Sequence, residues 1–225
     1  MTDQWRALES NPDVLTGFSR KVGVSNDYQF HDVFGLDEEL LMMIPQPSHA
    51  VILLFPGAER EQATDAAAAD NTGPFFLYQV KGLGNACGTI AAIHAIANSE
   101  ARASLAPSST LDAYLKACEG MGPEKRGQRL LGDEDIRKAH DAQASEGQTS
   151  SEGADGEVDY HFVCFVHSNA TLFELDGLKA APIARGTTNA EDLLKDAAKA
   201  IQQHHIAKKP DMVSFAVLSL GPSEG

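Results

Sequence analysis

The sequence predicts one α/β domain with a mostly antiparallel central sheet. Segments with helical periodicity alternate with strand-like apolar runs, and the runs at 158–166 and 171–175 are separated by a turn short enough for an antiparallel hairpin. The chain has 225 residues, is 43% hydrophobic and contains no internal repeat. A chain of this size and composition can bury one sizeable core, so residues 1–225 are interpreted as a single domain.

Each element is predicted from the spacing of its apolar residues. Recurrence at three- and four-residue intervals predicts helices at 13–22, 38–44, 86–97, 110–118, 123–131, 134–142 and 190–205. Short apolar runs rich in β-branched and aromatic residues predict strands at 29–33, 50–55, 75–79, 158–166, 171–175, 182–184 and 213–218. Residues 59–72 and 143–157 are small and polar without apolar periodicity, so both are expected to be loops.

The charge balance limits the choice of partner. The formal net charge is −14, and the chain shows no cluster of Lys and Arg of the kind that neutralises phosphates. We therefore expect no nucleic-acid binding. An acidic surface favours a basic partner, and the alternative is that the acidity serves solubility alone.

The cysteines and the absence of targeting signals indicate the compartment. Three cysteines, Cys87, Cys118 and Cys164, match neither a disulfide framework nor a metal-ligand spacing. The N-terminus lacks the charged start and apolar run of a secretory signal, and no segment has the length of a membrane span. We expect a cytoplasmic protein that needs no metal or organic cofactor and does not attach to a membrane.

A thiol at a helix N-terminus is the first candidate for chemistry. In the string NACGTI, Asn85 is a good N-cap residue, and Ala86, Ile90 and Ile93 recur at helical spacing. Free backbone N–H groups and the positive end of the helix dipole would then surround Cys87 and favour its thiolate. Cys87 is therefore a candidate nucleophile. The alternative is a small core residue without reactivity.

The predicted hairpin supplies a candidate base. If the hairpin is symmetric about Ser168 and Asn169, paired residue numbers sum to 337 and His161 faces Asp176. Directly opposite side chains have Cβ atoms about 4.5–5.5 Å apart, so the carboxylate can orient the imidazole. The alternative is a structural hydrogen bond between the two side chains.

The same geometry excludes two rivals. Cys164 is three residues from His161 and therefore points to the opposite face of the strand. His94 lies two helical turns beyond Cys87, about 10.5 Å away, which is too far for it to deprotonate the thiol.

A glutamine before the helix is a candidate oxyanion donor. The predicted strand at 75–79 leads through a short loop into the helix that begins near Cys87, so Gln79 can return to the mouth of the helix. Its side-chain NH₂ and the backbone N–H of Cys87 could together bind the oxyanion of a tetrahedral intermediate. The alternative is a surface glutamine at the end of a strand.

Several strings carry a family resemblance. GNACGTIAAIHAIAN, VDYHFVCFVH and LFELDG closely resemble the ubiquitin C-terminal hydrolase family of cysteine deubiquitinases, in its short form without a C-terminal extension. LESNPDVLTGFSRKVGV, FHDVFGLDEELLMMIPQP and SEGQTS also resemble family segments, so the likeness spans nearly the whole chain. It implies a knotted, papain-like cysteine protease fold with helices on both faces of the sheet.

The resemblance also implies roles for individual residues. By this match Cys87 is the nucleophile, His161 the general base, Asp176 the orienting carboxylate and Gln79 the oxyanion donor. Gln79 precedes Cys87 by eight residues, whereas small members of the family have six, so the loop at 81–84 carries two extra residues.

Substrate contacts follow from the same match. The resemblance implies a crossover loop at about 143–157 that limits the bulk of the leaving group, with an idle surface loop as the alternative. Candidate substrate-binding residues are Asp32, Tyr160, Ser145, Glu146 and Gly147.

The implied function is hydrolysis of thioester, ester or amide bonds at the C-terminal glycine of ubiquitin, with small or flexible leaving groups favoured. The implied partner is ubiquitin, or a close ubiquitin-like modifier, bound by a monomer. One alternative is a catalytically weak or inactive ubiquitin-binding protein of the same fold. A thiol-based redox enzyme is disfavoured because Cys87 has no resolving cysteine nearby in the sequence.

Overall fold

A six-stranded antiparallel sheet forms the centre of the computed structural model, which describes residues 5–57, 73–146, 160–208 and 214–224. The strands are β1 (Tyr28–Asp32), β2 (Ala50–Pro56), β3 (Tyr160–Ser168), β4 (Thr171–Leu175), β5 (Ile183–Thr187) and β6 (Ala216–Pro222). The helices are α1 (Pro12–Val22), α2 (Glu38–Leu41), α3 (Cys87–Ala97), α4 (Thr110–Ala117), α5 (Pro123–Leu131), α6 (Glu134–Glu146) and α7 (Leu193–Ile201). Two 3-10 turns, Lys81–Leu83 and Glu100–Ser104, and a π-helical turn, Gln202–Ile206, lie between them.

The sheet separates two apolar layers. Its strand order is β1-β6-β2-β3-β4-β5, and the central strands β2 and β3 are almost uninterrupted apolar runs. Successive residues of β3 alternate between the layers, so that Phe162 and Cys164 pack with α1 and α3 while Val163 and Phe165 pack with α7. Helices therefore cover both faces of the sheet. The predicted fold class, α/β with an antiparallel sheet between helices, is confirmed.

The hairpin between β3 and β4 is confirmed, but its register differs from the prediction. Ser168 pairs with Thr171, and the turn residues Asn169 and Ala170 both have positive φ, 49° and 59°. This is the geometry of a two-residue hairpin turn whose twist matches the flanking strands. The turn lies one residue further along than predicted, which changes the paired sum from 337 to 339. Because the shift in register is two residues, each side chain stays on its predicted face.

The predicted strand at 75–79 is wrong. These residues are extended but join no sheet in the described part of the chain. Their backbone groups form hydrogen bonds with side chains of α3 and α5 instead. His94 Nε2 accepts from the Leu77 N–H, and Arg126 donates to the Phe76 carbonyl. The Asn98 side chain accepts from the Phe75 N–H and donates to the Phe75 carbonyl. A sequence pattern cannot distinguish this from a strand, because both conformations are extended and buried.

Two other predicted boundaries change. Helix α6 continues to Glu146, so residues 143–146 of the predicted crossover loop are helical, while residues 147–157 lie outside the described residues. The extension follows from tertiary packing, since Gln143 occupies the space above Gly17 of α1, where a Cβ would lie 1.9 Å from its Oε1. The predicted helix at 190–205 begins later, at Leu193, and its last turn is the π-helical segment Gln202–Ile206. Among the described helices, none is both long and apolar enough to span a membrane.

Candidate active site

The N-terminus of α3 presents the Cys87 thiol. The chain enters the helix through the 3-10 turn Lys81–Leu83 and through Gly84, whose φ of 49° favours glycine. Residues Lys81–Leu83 of this loop form the 3-10 turn, and the Leu83 side chain is fully buried.

The cap of α3 differs from the prediction. Ala86 occupies the N-cap position, so the prediction that Asn85 caps the helix was wrong. The first i to i−4 hydrogen bond runs from the Ile90 N–H to the Ala86 carbonyl. The N–H groups of the first turn, beginning with Cys87, therefore have no acceptor within the helix, and the positive end of the helix dipole adjoins the thiol.

A close approach brings this helix end against β3. A Cβ on Gly88 would lie 3.1 Å from Leu8 Cβ and 3.3 Å from Phe162 Cε2. Glycine lets α3 pack directly on the strand at the residue next to His161. This contact explains how residues distant in sequence come to share one site.

His161 and Asp176 form the predicted pair. His161 Nε2 donates to Asp176 Oδ1 at 2.6 Å, and both side chains are buried. Asp176 lies one residue beyond the end of β4, diagonal to His161 rather than directly opposite it. The same oxygen accepts the Leu178 N–H at 2.8 Å, which holds the carboxylate in place.

Cys87 completes a line of three groups. The Cys87 sulfur interacts with the His161 ring closely enough to raise the pKa of the ring, and because Nε2 is engaged by Asp176, Nδ1 is the nitrogen left for that interaction. Burial lowers the pKa of His161, but hydrogen bonds and charge interactions with Asp176 and Cys87 outweigh it and raise the pKa to about 9. The ring is therefore an imidazolium at neutral pH.

Gln79 is buried beside this line. Its side-chain Nε2 donates to the Gly84 carbonyl at 2.7 Å, and its backbone N–H donates to the Gly177 carbonyl at 2.8 Å. A Cβ on Gly177 would lie 3.2 Å from Gln79 Cβ and 3.3 Å from Ile90, so the loop after Asp176 packs closely on both. Gln79 thus connects the loop before α3 with the loop after β4, and it is not a surface residue.

The predicted substrate-binding residues that the structure describes lie on three different elements, β1, α6 and β3. Tyr160, at the start of β3, is 38% exposed and donates from its hydroxyl to Ser214 at 3.2 Å. Ser145 and Glu146 belong to α6, where Ser145 bonds back to the Asp141 carbonyl and Glu146 lies 3.6 Å from Lys21. The prediction that they belong to the crossover loop was wrong. Gly147 lies outside the described residues.

Asp32 lies at the same end of the sheet as His161. It ends β1, and two strands, β6 and β2, separate β1 from β3. Burial and the nearby Asp13 raise the pKa of its carboxyl. Its side chain is exposed at this edge.

The other cysteines and the helical histidine lie in packed surroundings. Burial raises the pKa of both Cys118 and Cys164, which favours the unreactive thiol. His94 is fully buried and its pKa falls to about 3, so it is a neutral structural acceptor, as its distance from Cys87 predicted. Within the described residues, no three His, Cys, Asp or Glu side chains are grouped to hold a metal ion.

Sequence reasoning missed two features around the site. The Phe55 ring packs edge-on against His161, with centroids 6.0 Å apart, because β2 pairs with β3 and places Phe55 opposite His161. Arg126, from α5, holds the segment that carries Gln79. Both depend on contacts between segments far apart in the chain, and no local pattern signals them.

A thiol, an imidazolium and a carboxylate in this order constitute the arrangement used for acyl transfer through a sulfur nucleophile. Residues 5–207 match the sequence profile of the family described as ubiquitin carboxyl-terminal hydrolase, family 1. A ubiquitin carboxyl-terminal hydrolase of Aplysia californica is 39% identical over 210 residues, which cover 93% of this chain and 98% of the relative. The human ubiquitin carboxyl-terminal hydrolase isozyme L1 is 35% identical over 222 residues, covering 96% of this chain and 98% of its own.

Solved structures agree with the sequence matches. The UCH37 enzyme of Trichinella spiralis bound to ubiquitin vinyl methyl ester superposes with a TM-score of 0.76 at 26% identity, covering 97% of this chain and 82% of that one. Its catalytic domain, bound to the same compound, gives a TM-score of 0.75 at 27% identity and covers 98% of this chain and 96% of that one. With a family match over most of its length and relatives above one third identity, the chain belongs to the ubiquitin carboxyl-terminal hydrolase family of thiol peptidases.

Proposed function

We propose that this enzyme uses Cys87 to hydrolyse thioester, ester or amide bonds at the C-terminal glycine of ubiquitin. The observation that carries the proposal is the 2.6 Å hydrogen bond between His161 and Asp176 together with the interaction of the same ring with Cys87, since both partners raise the pKa of His161. The Trichinella structures, which are bound to ubiquitin vinyl methyl ester, support ubiquitin as the partner.

The first half of the reaction acylates Cys87. In the thiolate–imidazolium pair the thiol proton already resides on His161, and the Cys87 thiolate attacks the carbonyl carbon of the terminal glycine. The tetrahedral intermediate collapses as the bond to the leaving group breaks, and His161 returns its proton to the departing amine, alcohol or thiol. The raised pKa of His161 keeps this proton available at neutral pH.

The second half hydrolyses the thioester. Water attacks the acyl carbon while His161 accepts its proton, and the Cys87 sulfur leaves to regenerate the starting pair. Asp176 holds the ring orientation through both halves and stabilises the imidazolium, as an orienting carboxylate does in related triads.

Gln79 and the backbone N–H of Cys87 are proposed to bind the oxyanion in both intermediates. Support comes from the burial of Gln79 and from its bond to Gly84, which anchors the amide beside the loop before α3. Each such donor is worth about 2.7–4 kcal/mol in the transition state.

The leaving group and the substrate surface are further parts of the proposal. We expect small or flexible leaving groups to be favoured, with the segment at 143–157 limiting their bulk and Asp32 and Tyr160 contacting the substrate. A net charge of −14 favours a basic partner such as the tail of ubiquitin or of a close ubiquitin-like modifier. We expect the enzyme to act as a monomer in the cytoplasm, without a cofactor.

One assay tests these points together. Hydrolysis of a fluorogenic amide of ubiquitin is measured beside cleavage of a folded domain fused to ubiquitin, for wild type, Cys87→Ala and Cys118→Ala. We expect wild type and Cys118→Ala to cleave the small amide faster than the fusion, and Cys87→Ala to bind ubiquitin without turnover.

Two outcomes contradict the proposal. Residual turnover in Cys87→Ala, or labelling of Cys118 or Cys164 by a ubiquitin-based electrophile, would exclude Cys87 as the nucleophile. Ubiquitin binding without hydrolysis by the wild-type protein would favour the alternative, an inactive ubiquitin-binding protein.

A further inference from the structure

A second polar cavity lies outside the Cys87 site. It has a volume of about 310 Å³ and opens between residues 73–75, the 3-10 turn after α3 and the connection between α4 and α5. Two arginines, Arg102 and Arg126, line it, and Glu119 lies at the same cavity. None of Gln79, Cys87, His161 or Asp176 lines it, so the mechanism above does not account for it.

Arg126 is held in a fixed position at this cavity. One terminal nitrogen donates to the Phe76 carbonyl at 2.9 Å, and the guanidinium lies 4.6 Å above the Phe75 ring. Its Nε is buried and has no hydrogen-bond partner. Because this nitrogen has almost no accessible surface, the donors that Arg126 can offer to a ligand in the cavity are the terminal N–H groups not bound to Phe76.

Arg102 adds a second positive charge. It donates one weak bond, 3.4 Å, to the Ala97 carbonyl, which leaves most of its guanidinium donors available. Burial lowers the pKa of Arg126; Cys118 and Tyr114 oppose this shift, and the positive charge of Arg102 adds to it. Over the described ranges, neither arginine forms an ion pair with a carboxylate.

We propose that this cavity binds a small oxyanion, with a phosphate group as the best match, between Arg102 and Arg126. Two guanidinium groups facing one cavity recognise phosphate or carboxylate through paired, charge-assisted hydrogen bonds. The positive site is local, because the chain as a whole carries a charge of −14.

The bound anion would also restrict the motion of the backbone between Phe76 and Gln79. Arg126 already holds the Phe76 carbonyl, and the same extended segment continues through Leu77 and Tyr78 to Gln79. An anion bound to Arg126 therefore adds a further restraint to the backbone that leads to Gln79. This consequence can be measured without any assay of hydrolysis.

The test is a titration of the full chain with inorganic phosphate at constant ionic strength, followed by calorimetry and thermal unfolding. We expect saturable binding and a rise in Tm, with acetate binding more weakly because it carries less charge. Arg102→Gln, a change at an exposed side chain, should weaken binding about tenfold or more, as loss of a charge-assisted hydrogen bond predicts. Glu119→Gln should tighten it by removing a like charge.

Lys125→Gln provides the matched control. Lys125 is exposed on α5 next to Arg126 and does not line the cavity, so its removal should leave the affinity unchanged. Hydrogen exchange at the backbone amides of 75–79 should slow on addition of phosphate. Unsaturable binding, equal effects of the Arg102 and Lys125 changes, or unaltered exchange would overturn the proposal.

Discussion

At the scale of single residues, the pKa of His161 is lowered by burial and raised by two partners. Loss of water alone would make its ring neutral, yet Asp176 and Cys87 raise its pKa to about 9. The orienting carboxylate thus has an electrostatic role in addition to holding the ring. The site is preorganised for proton transfer because Asp176 is itself fixed by the Leu178 N–H.

This balance predicts the pH profile of Asp176→Asn. A raised pKa means that His161 keeps its proton through neutral pH and loses it as pH rises through about 9, so wild-type activity should fall on that alkaline limb. The asparagine removes the negative charge, so the limb should move to lower pH and kcat should fall by orders of magnitude. The measurement is kcat against pH, with exposed Asp135→Asn as control. An alkaline limb that stays in place in Asp176→Asn would refute this account.

At the scale of elements, an extended segment rather than a strand positions Gln79. Residues 75–79 are bound by α3 and α5, and Tyr78 donates its N–H to the Pro123 carbonyl at the start of α5. Gly127 of α5 faces the same residue, since a Cβ there would lie 2.0 Å from the Tyr78 carbonyl oxygen. The absence of a side chain at Gly127 is what lets the segment lie against the helix.

Gly127→Ala should therefore displace the Gln79 segment. The added methyl meets backbone, which cannot rotate away, so we expect a stability loss of roughly 1–3 kcal/mol, partly offset by the better helix propensity of alanine. If Gln79 is an oxyanion donor, kcat should fall by up to about 10²–10³. Turnover of the ubiquitin amide and Tm are both measured.

Gly132→Ala is the matched change at the end of the same helix, where the nearest atoms lie 3.8 Å and 3.9 Å away. It should leave kcat unchanged. Equal activity in the two variants would show that the segment tolerates displacement or that Gln79 does not act in catalysis.

At the scale of the whole molecule, a buried ionic cluster ties the far edge of the sheet to the end of α7. Glu174 of β4 lies 2.7 Å from Arg185 of β5 and 3.2 Å from His205 in the π-helical turn. Burial raises the pKa of Glu174, but the nearby His205 and the hydrogen bond from Arg185 outweigh it and hold the pKa below its ordinary value of 4.5. The carboxylate is thus charged in the folded state.

Glu174 should consequently contribute to acid stability. Its stabilisation is complete above its ordinary pKa and is lost as pH falls through the lower folded value. Glu174→Gln leaves Arg185 without its partner and should lower the free energy of unfolding by about 3–5 kcal/mol at neutral pH. The free energy of unfolding, measured by denaturant titration at a series of pH values, should also depend less on pH below about 4.5 in this variant. The control is Glu134→Gln, because Glu134 forms an exposed ion pair with Lys138 at 4.0 Å. This change should alter neither the free energy of unfolding nor its pH dependence. Similar behaviour of the two variants would contradict the prediction.

The acidic character of the whole chain predicts a salt effect on substrate capture. With a net charge of −14, association with a basic tail should weaken as salt screens it, raising KM with little change in kcat. Asp32→Ala should raise KM in the same direction, whereas exposed Asp135→Ala on α6 should not. A KM that is independent of salt, and unchanged in Asp32→Ala, would remove electrostatic steering from the account.

Local sequence determined the elements and much of the candidate site. Apolar spacing predicted α3 and the β3–β4 hairpin, because both depend on contacts within a few residues. The predicted contact between His161 and Asp176 is present although the predicted position of the turn was wrong by one residue. The register shifts by two residues, which leaves each side chain on its predicted face of the sheet. The identity of the thiol likewise followed from its place at a helix start.

Tertiary structure alone decided how these parts meet. The segment at 75–79 became an extended arm because His94, Asn98 and Arg126 offer it partners that no local pattern encodes. The approach of α3 to β3 at Gly88, the extension of α6 over Gly17, and the cavity between Arg102 and Arg126 each depend on residues far apart in the chain. Sequence periodicity reports which face of an element is buried, whereas the partner buried against it is set by the packing of the whole domain.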